Sequence, residues 1–292
     1  MKLKKLCILF ICFISFKSAI ADQLTQGTGK DQPSDSVITF RNLRYAPQPD
    51  SLNGDTSSDK LLDLYLPAIN NSKKLPIFVF VHGGGFAGGD KYNKTVAEIC
   101  SKLASKGFAV LSINYWLSLK HNKIPGASAS ANMAKGVPSG GEFHPGLQMA
   151  IQNASDDLVS VFRWVKKHKK DYHLDVSKLA ISGGSAGAMT VLHTAYVSGQ
   201  RVLPVQAVVD LWGGLEDASV IKRKAPPVLI YHGDQDKLIH VDFGHALKKR
   251  MDEIGDTQSI LHVMEGKGHA MYRYIADEKI DEIAQFLISV VD

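Results

Sequence analysis

The chain has 292 residues, 45% of them apolar and 22% charged, and its mean hydropathy is −0.06. That is the composition of an ordinary soluble globular protein with apolar residues enough for a large core. The formal charge of +5 is concentrated at the start: Lys2, Lys4, Lys5 and Lys17 precede the first acidic residue, Asp22, so the chain beyond residue 21 carries a net charge of only +1. A nucleic-acid partner needs a larger basic excess than that balance supplies.

In chain order, Lys2 to Lys5 form a basic start, Leu6 to Phe16 an apolar stretch, and Ser18-Ala19-Ile20-Ala21 a run with small residues at positions −3 and −1 of a cut after Ala21. Residues 1–21 read as a secretory signal peptide, which gives a secreted or periplasmic protein. The apolar stretch makes a helix of only ~16 Å against a hydrocarbon core of ~30 Å, so no stable membrane anchor is expected after cleavage. Cys12 follows Ile11, and a lipidated cysteine needs a small residue before it. With Cys7 and Cys12 in the leader, Cys100 is left alone. A single cysteine excludes an internal disulfide, a zinc ribbon and a thioredoxin-like site, and the apolar spacing of Val96, Ile99, Cys100 and Leu103 makes Cys100 a buried helix residue.

Residues 22–36 are polar and aperiodic, a flexible lead-in. From Val37 eight apolar, β-branched or aromatic runs read as strands, at 37–45, 61–66, 76–81, 108–114, 178–182, 206–211, 227–232 and 259–264. Runs such as Ile77 to Val81 are apolar without alternation, as in strands covered on both faces. Helical periodicity occupies 92–106, 147–170, 186–198, 241–254 and 272–290. This order predicts an α/β fold for residues 37–292, one domain with a mostly parallel eight-stranded sheet and helices on both faces. The first two strands, with no helix between them, should pair antiparallel at one edge. Residues 118–146 are the long connection, and from Ile124 to Gly141 thirteen of eighteen residues are Gly, Ala, Ser or Pro. A segment of that length at the C-terminal edge of a parallel sheet is placed to cover a substrate pocket.

The chemistry centres on Gly183-Gly184-Ser185-Ala186-Gly187, between a strand and a helix. This G-x-S-x-G pattern is a nucleophile elbow, in which a sharp turn raises the serine hydroxyl at a helix N-terminus. A serine hydroxyl needs a base, and its tetrahedral product needs hydrogen-bond donors. The donors expected are the N–H groups of Gly84 and Gly85, in His82-Gly83-Gly84-Gly85-Phe86 after the third strand, together with that of Ala186. The base expected is His269, in the glycine-bearing loop after the last strand. The acid is expected after the seventh strand, in His232-Gly233-Asp234-Gln235-Asp236, with Asp236 preferred because Asp234 sits in the turn itself. The order Ser185, Asp236, His269 and the three strand ends agree with one another.

These motifs resemble the α/β-hydrolase superfamily, and within it the HGGG-type carboxylesterases and lipases. Leu62-Asp63-Leu64-Tyr65-Leu66-Pro67 followed by HGGGFAGGDK is most similar to bacterial acetyl-type esterases, including acetyl xylan and feruloyl esterases. The resemblance implies a serine carboxylesterase that forms an acyl-enzyme on Ser185 and acts on short acyl esters, small or polysaccharide-linked. It departs from the branch in two places: Gly184 stands where an acidic residue often precedes the nucleophile, and Tyr115-Trp116-Leu117 stands where many relatives have Tyr-Arg-Leu. Phe86, Trp116 and Trp212, near strand ends at the active edge, are the candidates to line the pocket. No metal and no cofactor is expected. A peptidase of the prolyl-oligopeptidase type uses the same triad but normally adds a large β-propeller, for which the chain has no room; a non-catalytic binding protein of this fold usually loses a triad member. His144 reads as a solvated loop residue, Asp156 and Asp157 as favourable acids before a helix segment Leu158 to Lys169, and Lys166 to Lys170 as a basic helix end.

Overall fold

Apolar runs become strands of five to eleven residues in one sheet in the computed structural model, which describes residues 37–50, 52, 54–68, 74–138, 140 and 142–291. The expected leader 1–21 and lead-in 22–36 lie outside the described residues. The strands are β1 (Val37–Arg44), β2 (Leu61–Pro67), β3 (Leu75–Val81), β4 (Ala109–Ile113), β5 (Leu174–Gly184), β6 (Val205–Leu211), β7 (Val228–Gly233) and β8 (Ile260–Met264). They are ordered β1-β2-β4-β3-β5-β6-β7-β8. Strand β2 runs antiparallel to both of its neighbours, and every later pairing is parallel.

The helices are α1 (Lys94–Ser105), α2 (Ser118–His121), α3 (Ala129–Met133), α4 (Pro145–His168), α5 (Ala186–Tyr196), α6 (Asp242–Glu253) and α7 (Ile280–Val291). Alternate residues of β3 enter two cores: Ile77, Val79 and Val81 pack with Leu158 of α4, Met189 of α5 and Leu247 of α6, while Phe78 and Phe80 pack with Val96 of α1 and Leu287 of α7. Burial on both faces explains why this strand is apolar throughout, and each such side chain contributes ~1.5–3 kcal/mol. Cys100 is fully buried on α1, and burial pushes its thiol well above the ordinary value.

Three details differ from the sequence reading. The connection 118–146 contains α2 and α3, each too short to register as periodicity. Tyr272–Tyr274 forms one helical turn and Ile275–Lys279 a π-helical segment before α7, so the final periodic stretch is not one regular helix. Asp156 and Asp157 lie in the middle of α4, which starts at Pro145 behind an N-cap at His144, whose side chain accepts the Gly146 N–H. Asp157 is buried and does structural work there, pairing with Lys60 and accepting the backbone N–H of Trp116. No helix among the described residues is long and apolar enough to cross a membrane.

Candidate active site

The elbow is built by glycines that no other residue could replace without moving the backbone. Ser185 joins β5 to α5 at φ 57° and ψ −120°, an unfavourable conformation for a residue with a side chain. A Cβ at Gly183 would lie 2.4 Å from the carbonyl group of Gly187, and one at Gly187 would lie 2.1 Å from the Val81 carbonyl oxygen. The two glycines therefore let the turn close and let α5 start against the end of β3. The Ser185 N–H donates to the Leu211 carbonyl of β6 at 2.9 Å, pinning the turn to the sheet.

Ser185, His269 and Asp236 come together from three loops. His269 Nε2 is 2.8 Å from Ser185 Oγ, and His269 Nδ1 is 2.6 Å from Asp236 Oδ2. An ionised carboxylate only accepts, so Nδ1 carries the proton and Nε2 faces the serine hydroxyl as an acceptor. The other carboxylate oxygen, Oδ1, accepts the N–H groups of Leu238 and Ile239 at 2.9 and 3.0 Å. Burial works to raise the Asp236 carboxyl, but these hydrogen bonds, led by the one from His269, outweigh it and hold the group below the ordinary carboxylate value. Asp234 is not within reach of His269; its N–H donates to the Met264 carbonyl, and Gln235 N–H donates to the Lys267 carbonyl. The acid loop and the base loop are thus tied by their backbones. His232, in turn, donates from Nε2 to the Ile239 carbonyl at 2.8 Å, and burial holds its pKa down, so a neutral ring supports the Asp236 turn.

The glycine run after β3 folds on itself. Ala87 and Gly88 donate to the Gly84 carbonyl at 3.1 and 3.0 Å, and Gly84 and Gly85 have φ of 126° and 63°, values that favour glycine. Among the described residues no internal acceptor takes the N–H of Gly84 or Gly85, while that of Gly83 goes to the Tyr272 hydroxyl. Ala186 is the first residue of α5, where backbone N–H groups lack helical acceptors and the helix dipole is positive. Two buried groups anchor the run. His82, stacked on Tyr115 at 4.6 Å, donates from Nδ1 to the Gly83 carbonyl, and burial lowers its pKa to about 4. At the other end, Lys91 is fully buried with its Nζ 2.6 Å from Asp63 and 2.8 Å from Asn42.

Ser185 and His269 open into a cavity of about 430 Å³ whose walls include the glycine run, Asp90, Asn93, Val96, Leu238 and Tyr272. Ser128, Ala129 and Ser130, from the connection 118–146, contribute to the same wall. A second cavity of about 410 Å³, between α4, α5 and the segment after β6, contains none of the three.

Two family models match the chain: BD-FAE over residues 62–134 and the alpha/beta hydrolase fold over residues 147–224. A truncated carbohydrate esterase from gut microbiota superimposes with a TM-score of 0.62 at 20% identity, covering 90% of this chain and 99% of that one. The chain has the α/β-hydrolase fold. Esterase 2 of Thermogutta terrifontis in its apo form gives a TM-score of 0.60 at 19% identity, with 89% and 96% covered. Among curated proteins, fumonisin B1 esterase of Sphingopyxis macrogoltabida is 31% identical over 134 residues, 46% of this chain and 22% of that protein. Esterase LipC of Mycobacterium tuberculosis is 26% identical over 255 residues, 79% of this chain and 61% of that protein. The chain thus spans less than two thirds of the length of either relative.

Within this fold the three expected pocket residues lie outside the lining of that cavity. Phe86 is fully buried in the core at φ 60°, Trp116 stacks on His121 at 4.0 Å, and Trp212, at φ 49°, is fully buried with its ring edge-on to His269 at 6.3 Å. A position at a strand end fixes the backbone but not the side-chain direction; the left-handed backbone of Phe86 and Trp212 accompanies side chains buried in the core. The cavity is walled instead by the glycine run and Ser128 to Ser130 together with Asp90, Asn93, Val96, Leu238 and Tyr272. The departure at Gly184 has a steric reason: a Cβ there would lie 2.2 Å from the Tyr272 hydroxyl, leaving no space for an acid. Sequence reading passed over Tyr272, His232 and Lys91. Lys91 alone left a signal, a lysine directly after the glycine run with an unmatched aspartate in the apolar strand Leu61–Pro67.

Proposed function

We propose that the protein is a serine carboxylesterase hydrolysing short-chain acyl esters through an acyl-enzyme. The observation that carries this reading is the continuous contact of Asp236, His269 and Ser185 at 2.6 and 2.8 Å beside an open cavity. His269 Nε2 removes the hydroxyl proton as Ser185 Oγ attacks the ester carbonyl carbon, and the N–H groups of Gly84, Gly85 and Ala186 receive the oxyanion. Collapse of the intermediate breaks the bond to the alcohol, which leaves with the proton from His269. Water then attacks the acyl-serine, gives its proton to His269, and releases the carboxylic acid with Ser185 restored. Asp236 keeps the proton on Nδ1 and stabilises the imidazolium formed in each half of the cycle.

The cavity volume sits at the lower end for ligand pockets, ~300–1,000 Å³, which suits a short acyl group beside its alcohol. Acetyl or feruloyl esters of polysaccharides are the substrates supported by the BD-FAE match over residues 62–134 and by the likeness to a carbohydrate esterase. Export, with cleavage after Ala21, is supported by the basic, apolar and small-residue pattern of residues 1–21.

The test is hydrolysis of 4-nitrophenyl acetate, butyrate, octanoate and palmitate by the protein and by Ser185→Ala. Activity should fall with chain length and vanish in the variant. Equal rates from both folded proteins would overturn the reading, and faster cleavage of peptidyl 4-nitroanilides than of esters would replace it with the peptidase reading.

A further inference from the structure

The Tyr272 phenol meets the nucleophile elbow, the glycine run and the base loop at one point. Its oxygen accepts the Gly83 N–H at 3.2 Å. The same oxygen would be 2.2 Å from a Cβ at Gly184 and 2.7 Å from one at Gly83, so the ring tip fills the space between the run and the residue before Ser185. The ring packs edge-on against Trp212 at 5.0 Å, and Trp212 packs edge-on against His269. Tyr272 follows His269 by three residues, and Ala270 between them has φ 63°, a strained turn that carries the imidazole and the phenol into the site together. The π-helical segment that follows, Ile275–Lys279, is the kind of irregularity that collects near functional sites.

Of the N–H groups of the run, that of Gly83 is held by a side chain, while those of Gly84 and Gly85 have no acceptor among the described residues. A glycine run is mobile unless something fixes it, and oxyanion stabilisation depends on donors fixed before the charge develops. We infer that Tyr272 is a positioning residue: its phenol oxygen holds the Gly83 N–H and wedges the glycine run against Gly184, so that the next two N–H groups face the reacting carbonyl. Glycine at 184 is the counterpart of this wedge. The inference rests on the esterase reading, yet the contact itself can be measured without any activity.

Two arms test it. In the first, Tyr272→Phe keeps the ring and removes the acceptor; kcat for 4-nitrophenyl acetate should fall about 10-fold with KM changed less than two-fold, because the loss acts on the oxyanion and not on substrate binding. Removing the ring and supplying a carboxylate in its place, as Tyr272→Ala with Gly184→Asp, should recover kcat to within about three-fold of the parent, since the new acceptor meets the same Gly83 N–H. In the second arm, thermal unfolding of Gly184→Ala should show a clear loss of Tm in the Tyr272 background and little loss in the Tyr272→Ala background. Unchanged kcat in Tyr272→Phe, or equal cost of Gly184→Ala in both backgrounds, would overturn the inference. If instead Ser185→Ala were as active as the parent, the esterase reading would fail while the unfolding arm still reported on the wedge.

Discussion

Replacing Asp236 by asparagine exchanges one oxygen for an NH₂ group and should stop turnover. The carboxylate is buried, with Oδ1 between the N–H groups of Leu238 and Ile239 and Oδ2 on His269 Nδ1. An amide with its oxygen turned to His269 would leave two buried N–H donors facing an NH₂ group, at ~1–3 kcal/mol for each unsatisfied donor. The amide oxygen therefore stays on the two backbone donors and the NH₂ faces Nδ1. That nitrogen must then accept, the ring proton moves to Nε2, and Nε2 presents a proton to Ser185 Oγ where a lone pair is needed. The wrong tautomer costs ~10⁴ in kcat in the serine protease that defines the triad, and a loss of ~10³–10⁴, or ~4–5.5 kcal/mol of barrier, is expected here. Steady-state hydrolysis of 4-nitrophenyl acetate measures it, with circular dichroism and Tm to show that the variant is folded. The control is Asp234→Asn, which touches neither partner and should lose less than three-fold. Activity of Asp236→Asn above one tenth of the parent would refute the tautomer argument and with it the role given to Asp236.

Gly187→Ala should be both less stable and nearly inactive, since its Cβ would lie 2.1 Å from the Val81 carbonyl oxygen and α5 must retreat from the sheet, taking the Ala186 N–H with it; a cost of ~1–3 kcal/mol in urea unfolding, with a loss of ~10²-fold or more in kcat, is the expected result, and parent-like values for either would show that the helix start can shift without consequence. Asp210→Asn probes a different group. Burial drives the Asp210 carboxyl up to about 7, with only the Gly213 N–H working against it, and its Oδ2 has no hydrogen-bond partner among the described residues. A carboxyl raised in the folded state favours folding most below its unfolded pKa and loses that contribution as pH rises through the folded one, so wild-type stability falls between about pH 4 and pH 7. The variant has nothing to titrate, and its stability relative to the parent should rise over that interval by up to ~1.4 kcal/mol per pH unit. A difference that does not change with pH would show that the group is ionised in the fold.

The sheet was legible because its strands are apolar on both faces, so runs such as Ile77 to Val81 needed no periodicity to stand out. Strand β5 begins earlier than the sequence suggests, at Leu174 and not at Lys178, because Asp175 and Ser177 dilute the run, and its pairing shifts register beside Pro76. Motif order was enough to single out Ser185, Asp236 and His269 as residues that the fold brings into contact, since each sits in a loop that directly follows a strand. What could not be read were features set by side-chain direction and distant contact. Trp212 and Phe86 turn into the core through backbone angles that no residue type announces. The Tyr272 hydroxyl meets a glycine 189 positions away, and nothing local marks a tyrosine on a short helical turn as part of the site. Asp157 read as a helix-start acid because it precedes the segment Leu158 to Lys169, whereas α4 already starts at Pro145.

The central claim, that Ser185 carries the acyl group, is tested most directly by titration with diethyl 4-nitrophenyl phosphate, which phosphorylates an activated serine and releases one 4-nitrophenolate. The account expects one equivalent of 4-nitrophenolate per chain, a diethylphosphoryl group on the peptide containing Ser185 by mass spectrometry, and loss of 4-nitrophenyl acetate hydrolysis in proportion to labelling. Ester hydrolysis that persists in fully labelled protein, or a label on any other residue, would contradict it.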